Sequence, residues 1–270
     1  MALTIAGSDS GAGAGIQADL KTFSALGVYG CTVLTVVTAQ NTQGVNDVFA
    51  LPADVVLKQL SAVLDDFDVA AAKSGALGNA HLIRILAGFL RERNVPLVVD
   101  PVMISKHGYP LLDQQAVETL KEYLPSVTRL VTPNLHEASA LSGLPIATDR
   151  ASMLLTAAKL GKAGWRACVI KGGHLEDDAT DLLWDDGIEV WLPGKHIGTQ
   201  HLHGTGCTFS AAIVAGIVQG LELTDAVAQA KDFITGAIEN AVVYGKGVNP
   251  VNHGWRHAAE GRSEASPENC

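Results

Sequence analysis

Short β-branched runs alternate with longer amphipathic runs along most of this chain, and that alternation constrains the fold more than any other feature. Strand-like runs fall at Leu3 to Ala6, Cys31 to Ala39, Val69 to Lys73, Leu97 to Asp100, Arg129 to Thr132 and Ala167 to Lys171. Helical patterns lie between them, at Ile16 to Leu26, Ala53 to Leu64, Ala80 to Arg93, Asp113 to Leu124, Leu135 to Ser142 and Ala151 to Ala163. Such alternation is the signature of βαβ units. It predicts an α/β fold with a mostly parallel twisted sheet and helices on both faces, a three-layer αβα arrangement. Three of the strand runs are nearly continuous apolar stretches, as a sheet covered on both sides requires.

The pattern changes after Lys171. The stretch "ATDLLWDDGIEVWLP" reads as a hairpin turning at Asp186-Gly187. Next, "HGTGCTFSAAIVAGIVQGL" reads as a glycine turn feeding a helix of small residues, and a last helix is expected from Thr224 to about Tyr244. The polar end, "HAAEGRSEASPENC", reads as a flexible tail over 256–270. With no internal repeat and no linker, residues 1–255 are expected to form a single domain.

Composition narrows the function. The chain has 270 residues, 47% hydrophobic and 17% charged, enough for a large core. A net charge of −9 argues against nucleic acid or an anionic membrane as the main partner. Four cysteines occur without CxxC or zinc spacing, and Cys31 and Cys168 sit in apolar runs that read as buried thiols. The start lacks the pattern of a signal peptide, and no apolar run reaches the ~18 residues of a membrane span. A soluble cytoplasmic protein is expected.

In open parallel sheets, ligands bind beyond the carboxyl ends of the strands. The polar residues that follow these strand runs form one rim: Gly7-Ser8-Asp9, Gln40-Asn41, Lys73-Ser74-Gly75, Asp100-Pro101, Thr132-Pro133-Asn134 and Lys171-Gly172-Gly173. Turn chemistry accounts for the glycines. It does not account for Gln40, Asp100 and Lys171.

The opening loop, "GSDSGAGAGIQADLKTF", lies between a strand and a helix. Its glycine spacing fits neither the dinucleotide fingerprint nor the P-loop, and no acidic residue ends the next strand. It reads either as a plain turn or as a place where a ligand approaches backbone. The second glycine turn puts Gly204, Thr205 and Gly206 just before a helix, where free N–H groups can hold an anion. Cys207 then stands in the first helical turn, a location that lowers a thiol pKa. Asn134 and Glu137 suit a helix cap, and equally a hydrated Mg²⁺ held through oxygen. Lys171 reads as a phosphate contact or as a lysine that snorkels to water.

Taken together, "LTIAGSDSGAGAGIQADLKTFSALGVYG", "TAQNT", "DPVM", "TPNLHEA", "KGGHL" and "HGTGC" resemble the hydroxymethylpyrimidine/phosphomethylpyrimidine kinases of thiamin biosynthesis, within the ribokinase-like superfamily. The resemblance runs from about Leu3 to about Trp255. It implies phosphorylation, by ATP, of 4-amino-5-hydroxymethyl-2-methylpyrimidine and then of its monophosphate. It also implies Mg²⁺ and a homodimer, and leaves a monovalent cation open. Gln40 matches the residue whose amide reads the pyrimidine amino group and ring nitrogen, a task suited to a side chain with adjacent donor and acceptor. The matching pocket positions are Gly7, Ala14, Val102, Asp19 and Ala76, so the opening loop is expected to cradle the ring. Gly204, Thr205, Gly206 and Cys207 match the phosphate turn, with Cys207 where most of the superfamily carries an Asp base. The resemblance gives Lys171 and Asn134 to ATP, Glu137 and Asp100 to the metal, and the flap residue Lys106 to a mobile phosphate contact.

Two departures bear on specificity. The family's usual Met is replaced by Ala76, which widens the pocket toward the bulkier ring of pyridoxal, the substrate of related vitamin B6 kinases. The flap carries Ser105 where some pyridoxal-active relatives have a second cysteine, which points back to the pyrimidine. A non-catalytic binding module would have no need for the set of Asn134, Glu137, Lys171 and Cys207. The glycine spacing demotes a Rossmann dehydrogenase.

Overall fold

The computed structural model describes residues 1–105, 108–173, 179–199 and 201–256. Its described strands form one nine-stranded sheet in the order β3-β2-β1-β4-β5-β6-β7-β8-β9. They are β1 (Ala2–Asp9), β2 (Gly30–Asn41), β3 (Gly44–Ala50), β4 (Ala71–Ser74), β5 (Leu97–Val99), β6 (Thr128–Val131), β7 (Ala167–Ile170), β8 (Asp181–Asp185) and β9 (Ile188–Leu192). The run from β2 through β7 is parallel, and β3, β8 and β9 are added antiparallel at the two edges. The chain leaves β1 for β2 on one side and returns to β4 on the other. The carboxyl ends of β1 and β4 therefore flank a switch point, where a crevice opens.

The helices are α1 (Gly15–Ala25), α2 (Ala53–Leu64), α3 (Ala80–Arg93), α4 (Gln114–Tyr123), α5 (Leu135–Ser142), α6 (Arg150–Lys162), α7 (Thr205–Val218) and α8 (Leu223–Glu239). Side chains on a strand alternate between faces, and β1 shows the consequence. Leu3 and Ile5 enter a core shared with Val56, Leu86, Leu120 and Leu160 of α2, α3, α4 and α6. Ala2 faces the other core, with Phe23 of α1, Phe209 and Val214 of α7, and Val227 and Phe233 of α8. Helix α7 is buried along most of its length, which explains its small apolar residues.

The same alternation places polar groups under α7. Thr4 of β1 and Lys73 of β4 share the α1/α7 side with Ala2 and Ala71. There the Lys73 ammonium lies 2.8 Å from Asp19 Oδ1, and Thr4 donates to Asp19 Oδ2 at 2.6 Å. Both side chains of the ion pair are fully buried. Burial alone would neutralise the amine, but the Asp19 carboxylate, with Cys207 and Asp100 nearby, holds the Lys73 ammonium above its ordinary range.

Two expectations need correction. Strand β3 was not foreseen: "GVNDVFA" has no alternating apolar face, and none is needed on a largely exposed edge. The last helix stops at Glu239, short of Tyr244, where the Asn249 side chain accepts the Tyr244 and Gly245 N–H groups and turns the chain. The expected hairpin is present, with Asp186 and Gly187 both at positive φ. Lys106 and most of the expected tail, 257–270, lie outside the described residues.

Removing one partner of a fully buried ion pair strands the other charge. Lys73→Met should cost about 3–5 kcal/mol in urea unfolding, and adding Asp19→Leu should recover more than half of it. A Lys73→Met protein as stable as the parent would show that the pair does not support the sheet.

Candidate active site

The opening loop is organised from within by one carboxylate. Asp9, at the end of β1, accepts the Gly11 N–H on Oδ1 at 2.8 Å and the Gly13 and Ala14 N–H groups on Oδ2 at 3.0 and 2.8 Å. His203 Nε2 lies 2.8 Å from Oδ2. Burial pushes the Asp9 pKa up, but the His203 contact and the N–H donors outweigh it and hold the carboxyl below its usual range. The loop's N–H groups thus already serve an internal anion and cannot also cradle a phosphate there. Glycine is required at two contacts. A side chain on Gly15, at φ 58°, would strike the Gly7 carbonyl, and one on Gly204, at φ 80°, would strike the Gly13 carbonyl. The second contact shows that the two glycine turns of the sequence pack directly on each other.

Around this clasp lie most of the residues expected to hold a ring. A Cβ added at Gly7 would sit 3.8 Å from Ala76 Cβ, so these two line one wall. Gln40 follows a register shift near the end of β2, and its amide nitrogen is 3.0 Å from His203 Nε2. Ala14 caps α1 and is half-buried, as is Val102, whose N–H donates to the Asp100 carbonyl at 2.8 Å. Asp19 is the exception. It has no exposed surface and both its oxygens are engaged by Lys73 and Thr4, so it supports the floor and offers nothing to a ligand.

The second cluster surrounds the start of α7. Gly204 is its cap, and the Gly206 and Cys207 N–H groups lie in the first turn, where the helix itself supplies no carbonyl. A Cβ on Gly206 would sit 3.4 Å from both Asp100 Oδ2 and the Lys171 ammonium. Lys171 Nζ is 3.5 Å from Asp100 Oδ1, and Ser210 Oγ is 3.4 Å from Asp100 Oδ2. Burial disfavours the Lys171 ammonium, but Asp100 and Glu137 outweigh it and raise its pKa. Asn134 and Glu137 form a reciprocal capping box on α5, with Glu137 Oε2 accepting the Asn134 N–H at 2.8 Å and Asn134 Oδ1 accepting the Glu137 N–H at 2.9 Å. Burial, opposed by Lys171 and reinforced by Asp100, pushes Glu137 up to about 7.

Cys207 corrects an expectation. A helix start was expected to lower its pKa, yet burial pushes the thiol up to about 11, against the pull of Lys73 and with Asp19 and Asp100 adding to the rise. A half-buried thiol beside two carboxylates stays protonated near neutral pH.

The family model described as phosphomethylpyrimidine kinase matches residues 9–252. The chain belongs to the phosphomethylpyrimidine kinase family. It is 46% identical over 255 residues to the hydroxymethylpyrimidine/phosphomethylpyrimidine kinase of Streptomyces coelicolor, covering 94% of each chain. It is 47% identical to the thiamine biosynthesis bifunctional protein ThiED of Geobacter sulfurreducens, with 93% of this chain covering 51% of that longer one. Among solved structures it resembles an ADP complex of Bacillus subtilis pyridoxal kinase, with a TM-score of 0.87 and 38% identity, covering 95% of this chain and 98% of that one. The fold is therefore ribokinase-like.

For this phosphomethylpyrimidine kinase family member, sequence reasoning named most of the residues that meet at the rim but missed three that hold them. Asp9 and His203 stood inside quoted segments without a role, and Lys73 was noted only as part of a segment. Their signal lies in partners up to 194 residues apart, which spacing along the chain does not display. Carboxylates of Asp100 and Glu137 beside Lys171 give the hard oxygen donors that Mg²⁺ favours. Among the described residues no group of three or more His, Cys, Asp or Glu forms a closed metal cage, and Mg²⁺ held by one or two carboxylates, waters and phosphates needs none.

Two outcomes follow. Iodoacetamide should label Cys207 slowly at about pH 7.5, with a rate rising roughly tenfold per pH unit toward pH 10; rapid labelling near neutrality, located by peptide mapping, would mean a thiolate instead. Gly206→Ala should keep the fold but lower turnover about tenfold or more, because its methyl fills the gap between Lys171, Asp100 and the helix start. Unchanged turnover would place the reacting phosphate elsewhere.

Proposed function

We propose that this chain transfers the γ-phosphate of ATP to 4-amino-5-hydroxymethyl-2-methylpyrimidine and then to its monophosphate, in thiamin biosynthesis. One observation carries the reading: the two glycine turns touch, yet only one has N–H groups to offer an anion. The opening loop, its N–H groups on Asp9, forms a flat wall for a ring beside Gly7, Ala14, Ala76, Val102 and Gln40. The α7 turn, next to Lys171, receives phosphates. The hydroxymethyl oxygen attacks the γ-phosphorus as the bond to the ADP oxygen breaks. Cys207, a thiol, shapes the site and takes no proton at neutral pH; in a loose transition state the hydroxyl proton leaves late, onto the transferred phosphoryl group. Catalysis then rests on the N–H groups of Gly206 and Cys207 and on the Lys171 ammonium, while the Thr205 N–H donates to the Leu202 carbonyl and fixes the turn.

Glu137 and Asp100 would hold Mg²⁺, with Asn134 positioning Glu137 through the cap. Bound Mg²⁺ supplies charge neutralisation on the phosphates. Lys106 of the flap, outside the described residues, is proposed as a further phosphate contact. The enzyme would act as a homodimer in the cytoplasm; the exposed β3 edge with Phe49 is the surface suited to a second copy. Ala76 beside Gly7 favours one secondary activity, on pyridoxal.

An ATP-consumption assay with the pyrimidine alcohol, with pyridoxal and with neither tests the reading. The pyrimidine should be used at least about tenfold more efficiently than pyridoxal, an arrangement of pocket contacts worth roughly 1–3 kcal/mol. No turnover of the pyrimidine, or a preference for pyridoxal, would overturn it. Gln40→Leu should raise the pyrimidine KM by about 10–100-fold while the ATP KM stays within twofold. Glu137→Gln keeps a capping-box side chain, so its thermal midpoint should hold while the Mg²⁺ requirement rises. A lower midpoint with an unchanged Mg²⁺ profile would reduce Glu137 to its cap.

A further inference from the structure

Asp9, Gln40 and His203 come from three separate parts of the chain, and their side chains meet at one atom. His203 Nε2 lies 2.8 Å from Asp9 Oδ2 and 3.0 Å from the Gln40 amide nitrogen. The ring and the carboxylate are both buried. Three backbone N–H groups and the His203 contact keep Asp9 an acceptor. An ionised carboxylate cannot donate, so the hydrogen in the short contact sits on His203 Nε2.

That hydrogen decides how Gln40 must face. With its amide nitrogen against the ring, Gln40 would set two donors face to face. With the amide turned over, Oε1 shares the single Nε2–H with Asp9 Oδ2 in a three-centre bond and no two donors face each other; the two orientations differ only in the exchange of oxygen and nitrogen. Oε1 keeps a second lone pair, and the amide NH₂ is turned outward. The pocket then offers an acceptor and a donor side by side. That pattern matches an exocyclic amino group next to an unprotonated ring nitrogen. It opposes the 4-oxo ring, which presents an oxygen acceptor next to a ring N–H.

We propose that the Asp9–His203 pair is a positioning device that fixes the orientation of the Gln40 amide, and thereby selects amino- over oxo-pyrimidines. The inference rests on the reading that Gln40 contacts the pyrimidine. It adds the residues that set the sense of that contact. His203 immediately precedes the α7 turn, so the same ring ties the ring-binding wall to the phosphate end.

The test measures kcat/KM for 4-amino-5-hydroxymethyl-2-methylpyrimidine and for its 4-oxo analogue in four proteins: the parent, His203→Leu, Gln40→Leu and the double variant. The parent should prefer the amino ring by about 100-fold or more. His203→Leu should cut that preference at least about tenfold, with the ATP KM within twofold, because a free amide can turn to suit either ring. Gln40→Leu should abolish the preference, and the double variant should be no worse than Gln40→Leu alone. A parent-like preference in His203→Leu, whatever its overall rate, overturns the inference, as do losses that multiply in the double variant. A parent-like Gln40→Leu overturns the inference together with the pocket role of Gln40, whereas a damaged Gln40→Leu beside an unaltered His203→Leu preference overturns the inference alone. If His203→Leu does not fold, His203→Asn, too short to span Asp9 and Gln40, takes its place with the same expected loss of preference.

Discussion

The Asp9 carboxylate is buried and ionised, and the geometry of the site follows from the donors it requires. A carboxylate removed from water costs several kcal/mol unless its lone pairs are met. Here three N–H groups of the opening loop and one imidazole nitrogen meet them. The loop must therefore curl back over the end of β1, which demands glycine where backbone presses on backbone. His203 must reach across from the segment before α7, which brings the second glycine turn against the first. One buried anion in this way closes the first loop to phosphates and docks the turn that remains open to them.

Charge beneath and beside α7 alternates. Lys73 stands between Asp19 and Cys207, and Lys171 between Asp100 and Glu137. Each ammonium is kept charged by carboxylates despite burial. The fixed positive charge at the α7 turn comes from Lys171 and the helix start, while the Cys207 thiol contributes none and withdraws none. A neutral group at the position where related kinases are expected to carry Asp fits a reaction governed by positioning and phosphate charge more than by a strong base. It also fits the buried Lys73–Asp19 pair, which leaves little room for a further anion at that point.

Much of this was legible along the chain because local rules agreed with the fold. Helices α2, α3 and α5 begin and end where their apolar spacing predicts, and α3 and α5 carry Asn caps that mark the start. The rim of strand ends also followed from alternation alone. The edge strand β3 escaped notice because an exposed edge needs no apolar pattern. The pKa of Cys207 was misjudged because a helix start can be read from glycines, but the burial that outweighs it, with Asp19 and Asp100 adding to the rise, comes from segments far away in the chain. Asp19 was expected in the pocket because the family resemblance placed it there. Its partner Lys73 lies 54 residues away on another strand and turns it inward. Asn134 and Glu137 were open between a cap and a metal site. The cap is formed, and Lys171 and Asp100 lie close enough to act on the same Glu137 carboxyl.

The division of labour between the two glycine turns is tested most directly by a crystal structure with 4-amino-5-hydroxymethyl-2-methylpyrimidine and a non-hydrolysable ATP analogue bound together. The pyrimidine should lie against Gly7 and Ala14 with its amino edge on Gln40, and the terminal phosphate should accept N–H groups at Gly206 and Cys207 beside Lys171. A phosphate seated instead on the N–H groups of Gly11, Gly13 and Ala14, with Asp9 displaced, would contradict the assignment of both turns.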